Sequence, residues 1–557
     1  MKRQENRKEE ILSGDTYTRR DLLKGLGAMS LYALGVSRCK TPRQSSLSKR
    51  SNKDGFDKPN ILFVTTDYQR GVDGPSLGSA FLEMPALDRL CREGEVFTRH
   101  YSTSPICMPA RYTWITGQYP HTHGQWDNYK RWVPEGSGIL MQLLKEQGYH
   151  TVGVGKMHFH PWDRMAGYDR RIIHDGKHNR VPDDYEKFLN VHGHSRTEFI
   201  ENHGGAMAVC DWPWDELLHH DVFVGTQARG VVERDELKQP WFLWVSFPGP
   251  HNPWDPPARY SQPYKKMFFP LGNTFPGELL TKPIDHTRHR YGYGKEIFDK
   301  IDARPERRDE IIHSIRAGHY GNLTLIDEQL TGIVEALERK GQLDNTVIIY
   351  TSDHGSALGN HNLIHKGMHY DQQARVPFVV RYPKIIKSGI RNSFSSHVDL
   401  LPTLVSLAGG MVPSNVKGKD LTPLLMDASK SVNDFAVVEC TLVTSIITDC
   451  WKIGFHHFNG DGDLYDLKND PNELINLFDN PRYADVRKML AVKLVKWRRQ
   501  LNSDIYIPDD PFRWRECLGP VVSLWRDNYM KSYIRMSKIE GRPGKVGMKY
   551  YKKYFES

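Results

Sequence analysis

Asp67 stands at the end of the apolar run Ile61–Val64, Lys156 and His158 follow a second such run, His251 a third, and the dipeptide Asp353-His354 a fourth, NTVIIYTSD. Carboxylate oxygens suit calcium, magnesium or manganese, while a His ligand leaves softer divalent ions open. Arg111, Lys156, His158, His251 and Lys366 can surround an anion, Arg by its fork of donors and Lys as a point charge. A metal with several cations is more positive charge than a neutral substrate needs. It suits sulfate or phosphate esters, whose transition states spread negative charge over several oxygens. Taken singly, each of these residues is more often a surface charge than a ligand. Their joint occurrence at strand ends is what makes a site.

Cys107 lies in SPICMPARYTWITGQYPHTHG, two residues before Pro109 and four before Arg111. A thiol there is core, metal ligand, nucleophile or the precursor of another functional group. The seven cysteines (39, 91, 107, 210, 440, 450 and 517) include no C-x-x-C pair. Their odd number argues against a full disulfide framework.

These residues need elements to carry them. KPNILFVTTD reads as a strand buried on both faces and MPALDRLCREG as an amphipathic helix closed by glycine. GILMQLLKEQGYHTVGVGKMHF, WFLWVSFPGPHNPW, YGNLTLIDEQLTGIVEALERKGQLDNTVIIYTSDHG, ARVPFVVRYP and VDLLPTLVSLAG continue the alternation of helix and strand. Alternation of this kind predicts an α/β fold with a parallel or mixed sheet covered by helices on both faces, with ligands bound beyond the carboxyl ends of its strands. From about residue 435 the short runs FAVVEC, SIITDCWKIGFHH and GDLYDL, then the helical ADVRKMLAVKLVKWRRQL, predict a smaller C-terminal α+β subdomain.

The chain has 557 residues, 39% hydrophobic and 26% charged, with a net charge of +9. No dense basic stripe interleaved with aromatics points to nucleic acid. TYTRRDLLKGLGAMSLYALGVSRCK holds the pair Arg19-Arg20 before a short, glycine-rich apolar run, which resembles a twin-arginine export signal. The expected organisation is an export signal at 1–39, a polar linker at 40–57, a catalytic domain at 58–434, the subdomain at 435–508 and a basic tail at 509–557. Export implies a periplasmic protein. Cys39 sits where a lipoprotein cysteine would, but the preceding VSR fits that signal poorly, and no segment is apolar enough to be a transmembrane span.

CMPAR followed by WITGQYPHTHG resembles the sulfatase signature, and the likeness extends from about Asn60 to Leu477 through NILFVTTD, GKMH, SDHGSALGNHNLIHKG, RVPFVVRYP and DLYDLKNDPNELINL. The resemblance implies the alkaline-phosphatase-like fold, a large mixed sheet with a small C-terminal sheet, and hydrolysis of a sulfate ester. It implies that a maturation enzyme, reading Pro109 and Arg111, oxidises Cys107 to formylglycine. The hydrate of that aldehyde has two hydroxyls on one carbon: one attacks sulfur, the other lets the intermediate collapse and release sulfate. By the same likeness Asp67, Asp353 and His354 hold a divalent ion, calcium by expectation, which also contacts the group at Cys107. Arg111 stabilises the hydrate, Lys156 and Lys366 grip sulfate, His158 assists proton removal and His251 protonates the leaving oxygen.

Two positions depart from the family pattern. Tyr68 stands where many sulfatases have Asp or Gln, which leaves the fourth protein ligand to Gln69, water or a backbone oxygen; Ala110 stands where Ser is commoner. HNRVPDDYEKFLNVHGHSRTEF and the region 255–310 read as loops around the mouth of the site. Trp126, Trp132, Trp162, Trp212, Trp214 and Trp254 are candidates for stacking on sugars. A sulfated carbohydrate is the favoured substrate. A phosphodiester or phosphonate monoester hydrolase of the same fold, or a non-catalytic protein that binds sulfated glycans, are the alternatives.

Overall fold

NILFVTT forms strand β1 (Asn60–Thr66), every residue of which is buried. Its side chains alternate between two apolar layers: Leu62 and Val64 face one, Ile61 and Phe63 the other. The same division holds for Leu243 and Val245 against Phe242 and Trp244 in β5 (Trp241–Ser246), and for Ile348 and Tyr350 against Val347 and Ile349 in β6 (Thr346–Ser352). A strand whose alternate residues are all apolar must be covered on both sides, which is why these segments read as continuous hydrophobic runs. Helices Pro85–Glu93, His220–Glu233 and Arg308–Arg339 contribute to the first layer, and Cys107–Thr116, Leu140–Glu146 and Leu400–Leu407 to the second.

The computed structural model describes residues 58–501 except 129–132, 135–137, 176–180, 293, 428–429 and 458–460. The export signal with Cys39, the linker and the basic tail with Cys517 lie outside the described residues, as does Trp132.

The remaining strands of the large sheet are β2 (Glu95–Tyr101), β3 (His150–Gly155), β4 (Arg170–Ile173), β7 (Phe378–Arg381) and β8 (Gly389–Ser396). The eight run in the order β4-β3-β5-β1-β6-β7-β2-β8. All neighbours pair in parallel except at β7, which is antiparallel to both β6 and β2. Two reversals cancel, so the carboxyl ends of β1, β2, β3, β5 and β6 share one edge, and the segment that leads into β7 arrives there too.

Strands β9 (Ala436–Glu439), β10 (Val443–Ile447), β11 (Trp451–His456) and β12 (Gly462–Asp466) form a separate antiparallel sheet in the order β12-β11-β10-β9. Helix Ala484–Leu501 lays Leu490, Leu494 and Trp497 against Val437, Ile446, Ile453 and Leu464 of that sheet. The fold is the large mixed sheet between helices, with a small C-terminal sheet, that the sequence leads one to expect. No helix among the described residues is long and apolar enough to cross a membrane.

Candidate active site

Cys107 is the first residue of helix Cys107–Thr116, which the chain enters from β2 and leaves at Gly117, a left-handed cap with φ of 62°. The positive end of that helix's dipole favours negative charge beside Cys107. The thiol is 1% exposed. Lys366 donates to its sulfur at 2.6 Å, His354 Nε2 lies 3.4 Å away and Asp67 Oδ1 3.7 Å away. Burial alone would push this thiol up. The charges of Lys366, Lys156 and His354 outweigh it and hold the group well below the ordinary thiol range, so an anion is favoured at this point.

Asp67 and Asp353 leave the sheet at the ends of the adjacent strands β1 and β6, and both are fully buried. Lys156 Nζ meets Asp67 Oδ2 at 2.6 Å. Arg111 Nε meets Asp353 Oδ2 at 2.8 Å, and its Nη2 lies 3.4 Å from Asp67 Oδ2. Burial and Cys107 raise the Asp67 carboxyl, but Lys156, Lys366 and His251 win and hold it well below the usual carboxylate range. Asp353 goes the other way: burial first, then the Asp67 charge, push it up to about 6 despite His354 and Arg111. Two buried carboxylates facing one another in this way favour a cation between them.

His354 Nδ1 lies 2.8 Å from the Gly355 carbonyl oxygen, which can only accept, so the ring hydrogen is on Nδ1. In the neutral ring the lone pair is then on Nε2, 3.6 Å from Asp67 Oδ1 and 3.5 Å from Asp353 Oδ1. The ligand atoms of Asp67, Cys107, Asp353 and His354 lie within 4.8 Å of one another. This set fits a divalent cation. Gln69 does not join it: its amide oxygen accepts from Thr66 and Tyr350 at 2.9 and 2.7 Å, and its amide nitrogen donates to the Asp73 carbonyl at 2.6 Å. Among the alternatives for a fourth protein ligand, that one is set aside.

Lys156 and His158 follow β3. A side chain on Gly155 would strike the Ser246 carbonyl oxygen, its Cβ falling 2.1 Å away, so glycine lets β3 and β5 stay close where Lys156 departs. His158 is half-buried; its backbone N–H donates to Asp175 Oδ1 at 2.7 Å, and burial pushes the imidazole below its ordinary value of 6.5. His251 follows β5, with Nδ1 donating to the Asn252 carbonyl at 2.7 Å. Tyr68 packs its ring edge-on to His251 and His354, at 4.3 and 4.9 Å between centroids, and lies under the Lys366 ammonium at 4.3 Å.

A cavity of about 380 Å³ opens from Cys107, Lys156, His158 and His251. Tyr185, Phe199, Trp212 and Trp214 give it aromatic walls, and Arg196, His220 and Asp175 add charge. Asp221 and Asp255 outweigh burial at His220 and push its imidazole up to about 10, so this ring is held as a cation paired with carboxylates. Of the tryptophans named from the sequence, Trp212 and Trp214 reach the cavity. Trp254 is instead core, fully buried against helix Arg308–Arg339, where a Cβ on Gly318 would come within 2.8 Å of its own. The stretch Arg196–Phe199 lines the cavity as expected, but the region 255–310 gives it only Asp255. Sequence reasoning missed Asp175 and His220; the doublet His219-His220 beside Asp221 was a visible signal.

A sequence profile of the Sulfatase family matches residues 59–411, and one for the N-sulphoglucosamine sulphohydrolase C-terminal region matches 359–500. An arylsulfatase of Clostridium perfringens is 28% identical over 466 residues, covering 78% of this chain and 94% of its own. An N-acetylglucosamine-6-O-sulfatase of Bacteroides thetaiotaomicron is 27% identical over 530 residues, covering 86% and 91%. In three dimensions a phosphonate monoester hydrolase from Silicibacter pomeroyi superposes with a TM-score of 0.69 at 20% identity, over 81% of this chain and 98% of its own, which shows a shared fold.

Proposed function

This chain belongs to the sulfatase family and is a sulfuric ester hydrolase, and from that premise we propose that it removes sulfate from a sulfated carbohydrate, using a formylglycine made from Cys107 beside a calcium ion. The observation that carries this reading is the set of contacts around Cys107: a helix N-terminus, Lys366 at 2.6 Å and His354 at 3.4 Å, at the mouth of an aromatic cavity. The field that lowers the thiol would equally lower a hydroxyl at the same place, which is what a nucleophile needs.

Asp67, Asp353 and His354 would hold the divalent ion, with the side chain at 107 as a further ligand; bound there, it supplies positive charge against sulfate oxygens. Formylglycine supplies, as its hydrate, one hydroxyl to attack sulfur and another to free the enzyme of the transferred group. Lys156 and Lys366 bind the sulfate oxygens. Arg111, anchored by Asp353, by the Lys156 carbonyl and by Ser246 Oγ at 3.0 Å, keeps this side of the site rigid and positive. His158, kept neutral by burial, accepts a proton from the hydrate. His251, its Nδ1–H held by the Asn252 carbonyl, would act as the imidazolium, whose second N–H, on Nε2, goes to the leaving oxygen and leaves the neutral ring.

The carbohydrate assignment draws on the aromatic walls, since flat apolar rings stack on sugar faces, and on the N-acetylglucosamine-6-O-sulfatase relative. A maturation enzyme is the partner this chemistry requires. Export through the Arg19-Arg20 segment to the periplasm completes the proposal.

Peptide mass spectrometry across Cys107, on protein from its native host, tests the nucleophile; aldehyde is expected and an unmodified thiol favours a sulfated-glycan-binding role. Sulfate release from sulfated oligosaccharides should outpace release from an aryl sulfate, and turnover of the aryl ester alone removes the carbohydrate assignment. The phosphonate monoester hydrolase likeness supports a second reading, and matched sulfate and phosphonate aryl esters separate the two.

A further inference from the structure

A second group of metal-ligating side chains lies apart from the site around Cys107. His286 comes from helix Ile284–Gly292, His369 from the segment between Lys366 and β7, His456 from the end of β11 and Asp463 from β12. All four are fully or almost fully buried. The Nε2 atoms of His286, His369 and His456 converge on one atom, Asp463 Oδ2, at 3.1, 3.0 and 2.8 Å. The four ligand atoms lie within 4.8 Å of one another. We propose that this His₃Asp cluster is a structural site for a divalent transition ion of the zinc type.

A tetrahedral zinc ion with Zn–N distances of about 2.0–2.1 Å sets its ligand atoms about 3.3 Å apart. The observed separations from Asp463 Oδ2 are close to that edge. Hydrogen bonding alone accounts for the arrangement poorly. It requires three Nε2–H groups to donate to a single carboxylate oxygen, while the other oxygen, Oδ1, takes the Tyr465 hydroxyl at 2.9 Å. It also requires His456 to be doubly protonated, because its Nδ1 faces Asp285 Oδ2 at 2.7 Å. An ion needs only the Nε2 lone pairs. His456 Nδ1–H then donates to Asp285, an outer carboxylate orienting a ligating imidazole, and His286 Nδ1 faces the Tyr370 hydroxyl at 3.0 Å. The two carboxylates, Asp463 and Asp285, balance the charge of a dication.

The donor types choose the metal. Three imidazoles suit zinc and its neighbours, whereas calcium and magnesium want oxygen. Four protein ligands without exposure to solvent make a closed, structural site. Gly454 of β11 is part of the design: a Cβ there would fall 2.3 Å from His369 Cε1, so any side chain would push that ring out of the cluster. The ion would tie the small sheet to the segment that carries Lys366, three residues before His369.

Elemental analysis of the full chain, refolded in the presence of zinc and then dialysed, tests this. The expected result is about one zinc per chain attributable to the cluster, kept in Asp353→Asn and reduced roughly ten-fold or more in His456→Asn. Cobalt substituted in the unmutated protein should give the intense visible bands of tetrahedral N/O ligation, and these report on the site even where His456→Asn does not fold. A chain that retains no zinc and shows no such bands overturns the proposal. So does zinc that disappears in Asp353→Asn yet persists in His456→Asn, which would place it beside Cys107.

Discussion

Tyr68 occupies the position where many sulfatases carry a metal-binding Asp or Gln, and its backbone is held at a φ of 82°, a left-handed conformation unusual for a bulky residue. That conformation turns the ring under Lys366 and against His251 and His354 rather than toward a ligand position. A ring face beneath an ammonium contributes about 0.5–2 kcal/mol. Tyr68→Phe should therefore stay within about two-fold of the parent in sulfate release and Tyr68→Leu should lose about ten-fold. Equal losses in both would assign the effect to the hydroxyl, which meets His365 Nδ1 at 3.2 Å. Cys107→Ala should abolish turnover while leaving the thermal midpoint nearly unchanged; near-normal activity would remove Cys107 from the mechanism. Asp67, Lys156, Asp353 and His354 were legible in the sequence because each directly or closely follows an apolar run. The role of Tyr68 was not, because an aromatic beside a ligand carries no sign of which way its ring turns. The His₃Asp cluster was also invisible: its members are scattered from 286 to 463 and only the fold joins them.

At the scale of elements, the alternation of helices and buried strands gave the large sheet, while the direction of β7 had no local signal. That direction is what brings the Lys366 segment to the edge shared by the other strand ends. Between the two sheets, β9 presents Glu439 to Arg498 of helix Ala484–Leu501 and, at 2.8 Å, to His121 of the turn beyond helix Cys107–Thr116. Burial raises this carboxyl, but Arg498 and then His121 overcome it and bring it to about 2 from 4.5. The folded form thus binds a proton less readily than the unfolded one. Its stabilisation, about 3 kcal/mol, is complete above pH 4.5 and disappears as pH falls from there toward 2. Hydrogen exchange in helix Ala484–Leu501 should accelerate over that window, and Glu439→Gln should flatten the dependence. An unchanged slope in the variant would mean that other carboxyls control the acid response.

For the molecule as a whole, the two halves of the cation site come from opposite ends of the large domain: β1 pairs with β6, so that Asn60 opposes Thr346. Pairings between such distant segments form late in folding. Once they have formed, Cys107 is 1% exposed, with Lys366 against its sulfur and the cavity leading to it. Any enzyme that rewrites this side chain must work before the sheet closes. A ribosome adding about 5–20 residues per second needs roughly 10–50 s to pass from Arg111 to Asp353, and that interval is the window. A folded, unmodified chain should resist the maturation enzyme, whereas a peptide spanning His100–Gly124, or the chain in denaturant during renaturation, should be converted; equal conversion of all three would show that the closed sheet opens readily. With the proposed conversion of Cys107, burial of the nucleophile would act as a clock: the speed of folding would set what fraction of the population ever becomes active.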